Sequence, residues 1–130
     1  MSMKDQLTDM LCRINNGQQR GLRCVDLHRS TSTLCLQLLR ILQREGYING
    51  CEKNSRTVRV YLKYTPLGNP VISTVRRISK PSNRIYVNMT SLWQLNKGLG
   101  VFILSTPRGL MTDLDAKIIN HGGEVLCSII

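Results

Sequence analysis

Two hydroxyls and a guanidinium follow an apolar run near the C-terminal end of the chain. Residues 101–104, Val-Phe-Ile-Leu, have the length and composition of a buried strand, and Ser-Thr-Pro-Arg-Gly follows at 105–109. Ser105 and Thr106 can donate and accept hydrogen bonds, and Arg108 can pair with phosphate through two N–H groups. Pro107 stiffens the turn. The segment is therefore predicted to hold phosphate, ribose or a base edge. The alternative is that the hydroxyls only close the turn and Arg108 is solvated.

A second basic segment lies at residues 76–86. Arg76 and Arg77 precede a turn over residues 80–83, and Arg84 and Tyr86 follow it. We expect a hairpin with strands at 71–78 and 84–88, whose Arg and Tyr side chains suit phosphate contact and stacking on RNA. An ordinary solvent-exposed hairpin is the alternative. One Trp, one Phe and four Tyr are too few for a platform that stacks single-stranded bases, so folded RNA is the better match.

The charge of the chain points to polyanionic partners. Eighteen Lys and Arg face eight Asp and Glu, which gives a net charge of +10 over 130 residues. The excess is present in both halves, so no single tail or helix accounts for it. A basic protein that is merely soluble is the alternative. No apolar run reaches the roughly 18 residues that a membrane-spanning helix needs, and no apolar segment near the N-terminus resembles a secretion signal.

The cysteines do not form a recognisable metal or disulfide pattern. There are five, at wide spacings and without a Cys-x-x-Cys pair, so they are predicted to be reduced thiols in the core of an intracellular protein. No metal site, cofactor or small-molecule substrate is expected. A Cys- or His-dependent hydrolase would need several of these thiols to converge with His28 or His121, and the sequence contains no nucleophile motif that favours this.

The first 64 residues are predicted to form an α-β-α-β-β lobe. A helix over 5–16 has an apolar stripe and is expected to stop at Gly17. A short strand over 21–27, a second helix that starts after Ser30-Thr31-Ser32 and ends before Gly46, and a hairpin with arms at 47–53 and 57–64 follow. Lys4, Arg13 and Asn16 lie off the stripe of the first helix and could face a ligand, with an ordinary solvated polar face as the more common explanation.

The second lobe is predicted to span residues 71–130 and to follow a Pro- and Gly-containing linker at 65–70. It is expected to be mostly β, with a helical turn at 90–96, a strand at 100–104 and a final strand at 124–130. A short helix at 113–119 is predicted to be capped by Thr112, with Asp115 completing the motif. The fold class is therefore α+β, with two small lobes.

Several short segments of the chain match one known family in their order and spacing. The ordered set identifies that family far more specifically than any single segment does. The segments are 9–16, 45–48, 77–81 with 84–86, 98–100, 105–106, 109, 111–113 and 122–127. Together they resemble the bacterial-type small-subunit ribosomal protein eight family along nearly the whole chain. The resemblance implies two lobes packed on a shared apolar interface. It also implies a non-catalytic protein that binds the central domain of small-subunit rRNA, adjoins neighbouring ribosomal proteins and supports assembly and translation.

The resemblance assigns RNA contact to both lobes. In the first lobe the predicted RNA-binding residues are Lys4, Arg13, Asn16, Ser30 and Thr31. In the second they are Arg77, Lys80, Arg84, Tyr86, Ser105, Thr106, Arg108, Gly109, Gly123 and Glu124. The family loop usually reads Ser-Thr-Ser-Lys-Gly, so Pro107 removes a hydroxyl and an N–H, and Arg108 replaces a lysine.

This altered loop and the cysteine count favour an organellar, mitochondrial ribosome, with a plastid or a bacterial cytoplasm as alternatives. A basic adaptor outside the ribosome is the alternative function.

Overall fold

The computed structural model describes residues 3–28, 33–80, 83–88, 90 and 100–130. The side chains of residues 3–5 and 28 lie outside that description. The fold is α+β, as predicted, and the chain divides into two compact units, Met1–Thr74 and Val75–Ile130. Residues 65–70 form a turn in the first unit, closed by a bridge between Tyr64 and Pro70. The predicted lobe boundaries, with 65–70 as a linker, stay a prediction.

The first unit has the predicted α-β-α-β-β order. Its elements are α1 (Met3–Arg20), β1 (Cys24–His28), α2 (Thr33–Arg44), β2 (Ile48–Lys53) and β3 (Thr57–Leu62). The three strands form an antiparallel sheet in the order β1-β3-β2. Alternate residues of β3 are buried, which is the pattern of a strand with one face on a core.

The apolar stripes of the two helices supply the core of this unit. Leu7, Met10, Leu11 and Ile14 of α1 are buried, as the spacing predicts. The prediction that α1 stops at Gly17 was wrong, because the helix continues to Arg20. A glycine inside a helix costs about 1 kcal/mol relative to alanine, and tertiary packing overrides that cost here. Gly21, with φ of +74°, follows the actual end.

In the part of the chain that the structure describes, the second unit forms a five-stranded sheet and a short helix. Its elements are β4 (Val75–Arg77), β5 (Tyr86–Val87), β6 (Val101–Thr106), β7 (Gly109–Thr112), α3 (Asp113–Ile119) and β8 (Gly123–Ile129). The sheet order is β4-β8-β6-β7, and β5 also pairs with β8. Leu104, Ala116 and Val125 form a buried cluster on one face of the sheet, against which Ile78 and Met111 pack.

The predicted basic hairpin was wrong in its pairing. The strands at 75–77 and 86–87 do not pair with each other; both pair with β8, β4 at Arg77↔Cys127 and β5 at Tyr86↔Glu124. The strands are also shorter than expected. The predicted turn is present, because Lys80 and Asn83 exchange two backbone hydrogen bonds of 3.0 Å. The predicted helical turn at 90–96 lies, except for residue 90, outside the described residues.

The predicted cap of the short helix is confirmed. The Thr112 hydroxyl accepts a hydrogen bond of 3.3 Å from the Asp115 backbone N–H. Asn120 ends the helix in the left-handed region, with φ of 64°. This short helix is linked to the sheet by a further hydrogen bond, because the buried Asp113 accepts from the Phe102 N–H at 3.3 Å.

The five cysteines are free thiols, but only two are core residues. Cys35 and Cys127 are buried, Cys24 is half-buried, and Cys12 and Cys51 are exposed. The prediction of core thiols is therefore wrong for Cys12 and Cys51, which are exposed.

We expect iodoacetamide to discriminate between these thiols in the native protein. Cys12 and Cys51 should be alkylated first and Cys24 more slowly, whereas Cys35 and Cys127 should react only after unfolding. Burial raises the pKa of Cys127 to about 12, so at pH 8 its reactive thiolate is absent as well as inaccessible. Peptide mass spectrometry over a time course measures each rate. Equal rates in native and urea-unfolded protein for Cys127 would contradict the burial.

Two further features of the described residues bear on function. Their helices include none that combines the length and the apolar character needed to cross a membrane. The same part of the chain brings no three His, Cys, Asp or Glu residues together in a group that could hold a metal ion.

Candidate nucleic-acid interface

Three polar side chains form a row across neighbouring strands of the second unit. Ser105 of β6 and Tyr86 of β5 both pair with Glu124 of β8, one on each side. Directly opposed residues of an antiparallel sheet place their side chains on the same face, so the three side chains share one face of the sheet. Tyr86 is 68% exposed, whereas Ser105 and Glu124 are half-buried. The row presents the tyrosine ring to solvent, with the Ser105 hydroxyl beside it partly accessible, whereas the Glu124 side chain is only 14% exposed.

Glu124 is held by hydrogen bonds from two other residues. The Ser79 hydroxyl donates to its Oε2, and Arg84 Nη1 lies 3.0 Å from Oε2 and 3.3 Å from Oε1. Ser79 is fully buried and also accepts a hydrogen bond of 3.2 Å from the Ile85 N–H. Arg77 Nε donates a hydrogen bond to the Ser79 carbonyl oxygen, which links the C-terminal end of β4 to the residues around Glu124. The carboxylate is thus fixed in position and compensated by a guanidinium.

The turn after β6 is a tight hairpin and not a loop that leads directly into a helix. Thr106 pairs with Gly109, so Pro107 and Arg108 alone connect β6 to β7. The Thr106 hydroxyl donates to the Gly109 carbonyl oxygen at 2.9 Å and accepts from the Arg108 N–H at 3.2 Å. Thr106 is 8% exposed. Its hydroxyl therefore closes the turn, and its RNA contact stays a prediction.

Ser105 and Thr106 point to opposite faces of the sheet because they are consecutive in a strand. Thr106 lies toward the apolar face, where its hydroxyl is 3.8 Å from the Met111 sulfur. Ser105 lies toward the row with Glu124. The two hydroxyls are consequently not presented together, whereas the Arg108 side chain at the hairpin tip is exposed.

Two glycines allow β8 to start close to its neighbours. A Cβ added to Gly123 would overlap the carbonyl oxygen of Ser105, and one added to Gly122 would overlap that of Val87. The Gly-Gly pair therefore lets β5, β8 and β6 approach at the place where the polar row is formed. Gly109, with φ of +112°, meets a different requirement, since its backbone lies in a region that favours glycine.

Two of the first-unit candidates lie on the exposed side of α1. Arg13 and Asn16 are exposed on α1, and Arg13 Nε lies 2.9 Å from Asp9 Oδ2. The Lys4 side chain, Ser30 and Thr31 lie outside the described residues. In the second unit, Lys80 and Arg84 are exposed and Arg77 is half-buried. Ser79 was missed from the predicted set, although its position just before the 80–83 turn could have suggested a positioning role.

The model of the family described as ribosomal protein S8 matches residues 5–130. The chain belongs to the ribosomal protein S8 family. It is 43% identical over 134 residues to the small ribosomal subunit protein uS8 of Rhodospirillum centenum, with 99% of each chain covered. It is 43% identical over 133 residues to the uS8 of Pelagibacter ubique and 41% identical over 133 residues to that of Geobacter sulfurreducens, again with 99% of each chain covered.

Membership of the S8 family confirms the resemblance found in the ordered sequence segments. The three relatives named above are bacterial, and they do not distinguish a mitochondrial from a bacterial origin. The segments that carried the resemblance, at 77–81, 84–86, 105–106 and 122–127, contain the polar row. They also contain the residues that hydrogen-bond to Glu124 and the two glycines that let β8 lie close to its neighbours.

Proposed function

We propose that this S8-family chain is a non-catalytic structural protein of the small ribosomal subunit that binds the central domain of the rRNA. The observation that carries the proposal is the row formed by Ser105, Glu124 and Tyr86 on one sheet face. A serine hydroxyl and a carboxylate suit ribose 2′-hydroxyls and base edges, and an exposed tyrosine suits stacking. The surrounding cations would bind phosphates, which position an RNA without reading its sequence.

The negative charge of Glu124 is balanced within the protein, which makes this acidic residue compatible with an RNA-binding surface. An isolated carboxylate would repel nearby phosphates, but Arg84 lies 3.0 Å from this one. The carboxylate still has acceptor capacity, because each oxygen has two lone pairs. It can therefore accept a hydrogen bond from a ribose hydroxyl or an exocyclic amino group while its charge is balanced within the protein.

The expected partners are the central-domain rRNA and neighbouring small-subunit proteins. We place the ribosome in a mitochondrion, on the basis of the five cysteines and the Pro107-containing turn, with a plastid or the bacterial cytoplasm as alternatives. Sedimentation of the tagged chain from fractionated cells tests this assignment. Recovery with small subunits of the mitochondrial fraction supports it, and recovery only with other small subunits would contradict it.

Filter binding tests the proposed function directly. The full chain should bind a central-domain junction RNA more tightly than a random duplex of the same length. Because Lys and Arg displace counterions from phosphates, the affinity should fall steeply as salt increases. Equal affinity for the two RNAs would contradict the proposal. A salt-independent interaction with proteins alone would instead indicate an adaptor outside the ribosome.

Arg108→Ala should weaken binding of the junction RNA by about 1–3 kcal/mol, because one or two charge-assisted hydrogen bonds are lost. Arg56→Ala is the matched control, since Arg56 is an exposed arginine near the tip of a different hairpin, between β2 and β3. Filter binding of both variants at one salt concentration gives the comparison. Unchanged affinity of Arg108→Ala would show that its guanidinium is solvated in the complex.

A further inference from the structure

We infer that a cavity in the first unit binds one nucleotide of the RNA, with its phosphate on Arg20. The cavity has a volume of about 390 Å³ and lies between the C-terminal half of α1 and strand β1. The inference rests on the proposed function and adds a site that the sequence did not predict, because Arg20 was not among the candidates. Arg13 and Asn16, which were predicted from the sequence to contact RNA, also line this cavity.

Gly17 lines the cavity at a point where α1 packs closely against the neighbouring strands. Gly17 faces β1, and an added Cβ would lie 2.6 Å from Val25 Cγ1 and 3.0 Å from Leu62 Cδ1. The strand therefore packs closely against the helix at this point. Leu22 and Val25 contribute apolar surface to the cavity. The glycine thus serves close packing, which explains why α1 continues through it.

One wall of the cavity is a polar stripe of α1. Arg13, Asn16 and Arg20 are separated by three and four residues, so they lie on one face of the helix. The apolar stripe of the same helix is buried in the core. A guanidinium at each end and an amide between them give this wall donors for an anion and both a donor and an acceptor for a ribose.

The ion pairs around the cavity leave one cation uncompensated. Arg13 is paired with Asp9 at 2.9 Å, and Asp26 on the opposite side is paired with Arg59 at 2.9 Å. Arg20 is exposed and has no acidic partner in the part of the chain that the structure describes. The acidic residue of the cavity is therefore already balanced, and the free guanidinium is the group that a phosphate would complement.

The size and the lining of the cavity favour a nucleotide over a bare phosphate. The cavity is open to solvent on one side, and its volume of about 390 Å³ is much larger than a phosphate group requires. The apolar surface of Leu22 and Val25 suits a ribose or a base, and the net charge of +10 attracts a polyanion. A nucleotide within an RNA strand satisfies these three features together.

Filter binding with the central-domain junction RNA tests the role of Arg20. At 0.1 M salt, Arg20→Gln should weaken binding roughly fivefold to tenfold and reduce the slope of log affinity against log salt by about 1. Arg20→Lys should retain most of the slope. Arg40→Gln is the matched control, because Arg40 is exposed on α2 and outside the cavity. Equal effects of Arg20→Gln and Arg40→Gln would overturn the inference while wild-type binding still supports the proposed function.

Cys24 reports on occupation of the cavity, because this half-buried thiol lies in its wall. Saturating junction RNA should slow the alkylation of Cys24 by iodoacetamide severalfold and leave Cys51, on the opposite edge strand, nearly unaffected. Unchanged reactivity of Cys24 in the complex would overturn the inference even if Arg20→Gln weakens binding. If the wild-type chain does not prefer the junction RNA, the proposed function fails and the inference fails with it.

Discussion

Gly123→Ala is expected to destabilise the protein strongly. The new Cβ would overlap the Ser105 carbonyl oxygen and lie 3.0 Å from the Ser105 carbonyl carbon and 3.2 Å from Thr106 Cα. These are backbone atoms, so no side-chain rotation relieves the overlap, and β8 must move away from β6. Overpacking usually costs 1–3 kcal/mol, and we expect about 3 kcal/mol of unfolding free energy here. Urea unfolding followed by circular dichroism measures the loss.

Gly50→Ala is the matched control for this change. Gly50 also lies in a strand, β2, but its nearest neighbour is the Gln43 side-chain nitrogen at 3.5 Å, which is an ordinary contact. Its unfolding free energy should stay within about 0.5 kcal/mol of the wild type. The Gly123 variant should also bind the junction RNA poorly, because the displaced strand carries Glu124. Coincident urea transitions for the two variants would show that the strands are not as close as the structure places them.

Local sequence patterns predicted the first unit well. The apolar spacing of α1 and the alternation of β3 each arise because one face of the element is buried against a core. The sequence pattern alone therefore predicts which residues are buried. The end of α1 could not be predicted in this way. Gly17 looks like a stop signal, but its role depends on Val25, which packs on it from a strand that follows in the chain.

The sheet of the second unit could not be predicted from local patterns because its pairing is long-range. Adjacent segments around a turn suggested a hairpin, yet β4 and β5 both pair with β8, about fifty and about forty residues further along the chain, respectively. A seven-residue strand is long enough to pair with both along one edge. The polar row follows from that pairing, so the sequence supplied Ser105, Tyr86 and Glu124 as candidates but not their juxtaposition.

The turn at 105–109 shows the same limit at shorter range. The sequence predicted a stiff turn that presents hydroxyls, and it left open whether they bind a ligand or close the turn. The structure divides the two roles between neighbouring residues, because strand alternation sends Thr106 toward the apolar face and Ser105 toward Glu124. The four-residue strand β7 was missed, since Gly-Leu-Met-Thr is too short to show a period.

Glu124→Ala is expected to weaken both the fold and RNA binding. The change removes the acceptor of the buried Ser79 hydroxyl and the partner of Arg84, whose side chain is 34% exposed. Hydrogen bonds to a charged group contribute about 1.5–3 kcal/mol, and we expect a loss of unfolding free energy in that range. Affinity for the junction RNA should fall at least tenfold, since the carboxylate leaves the row and Arg84 is no longer held beside it. Urea unfolding and filter binding measure the two effects.

Two comparisons separate the role of the Glu124 charge from the loss of a side chain. Glu124→Gln keeps an oxygen for Ser79 but not the charge for Arg84, so it should fall between wild type and Glu124→Ala in both measurements. Glu52→Ala removes an exposed carboxylate that accepts from Tyr61 at 3.0 Å, and it should leave both nearly unchanged. A double-mutant cycle with Arg84→Ala should give a coupling energy of about 0.5–3 kcal/mol. Strictly additive effects would mean that Arg84 does not compensate Glu124, and the compatibility of this carboxylate with RNA would then require another cation.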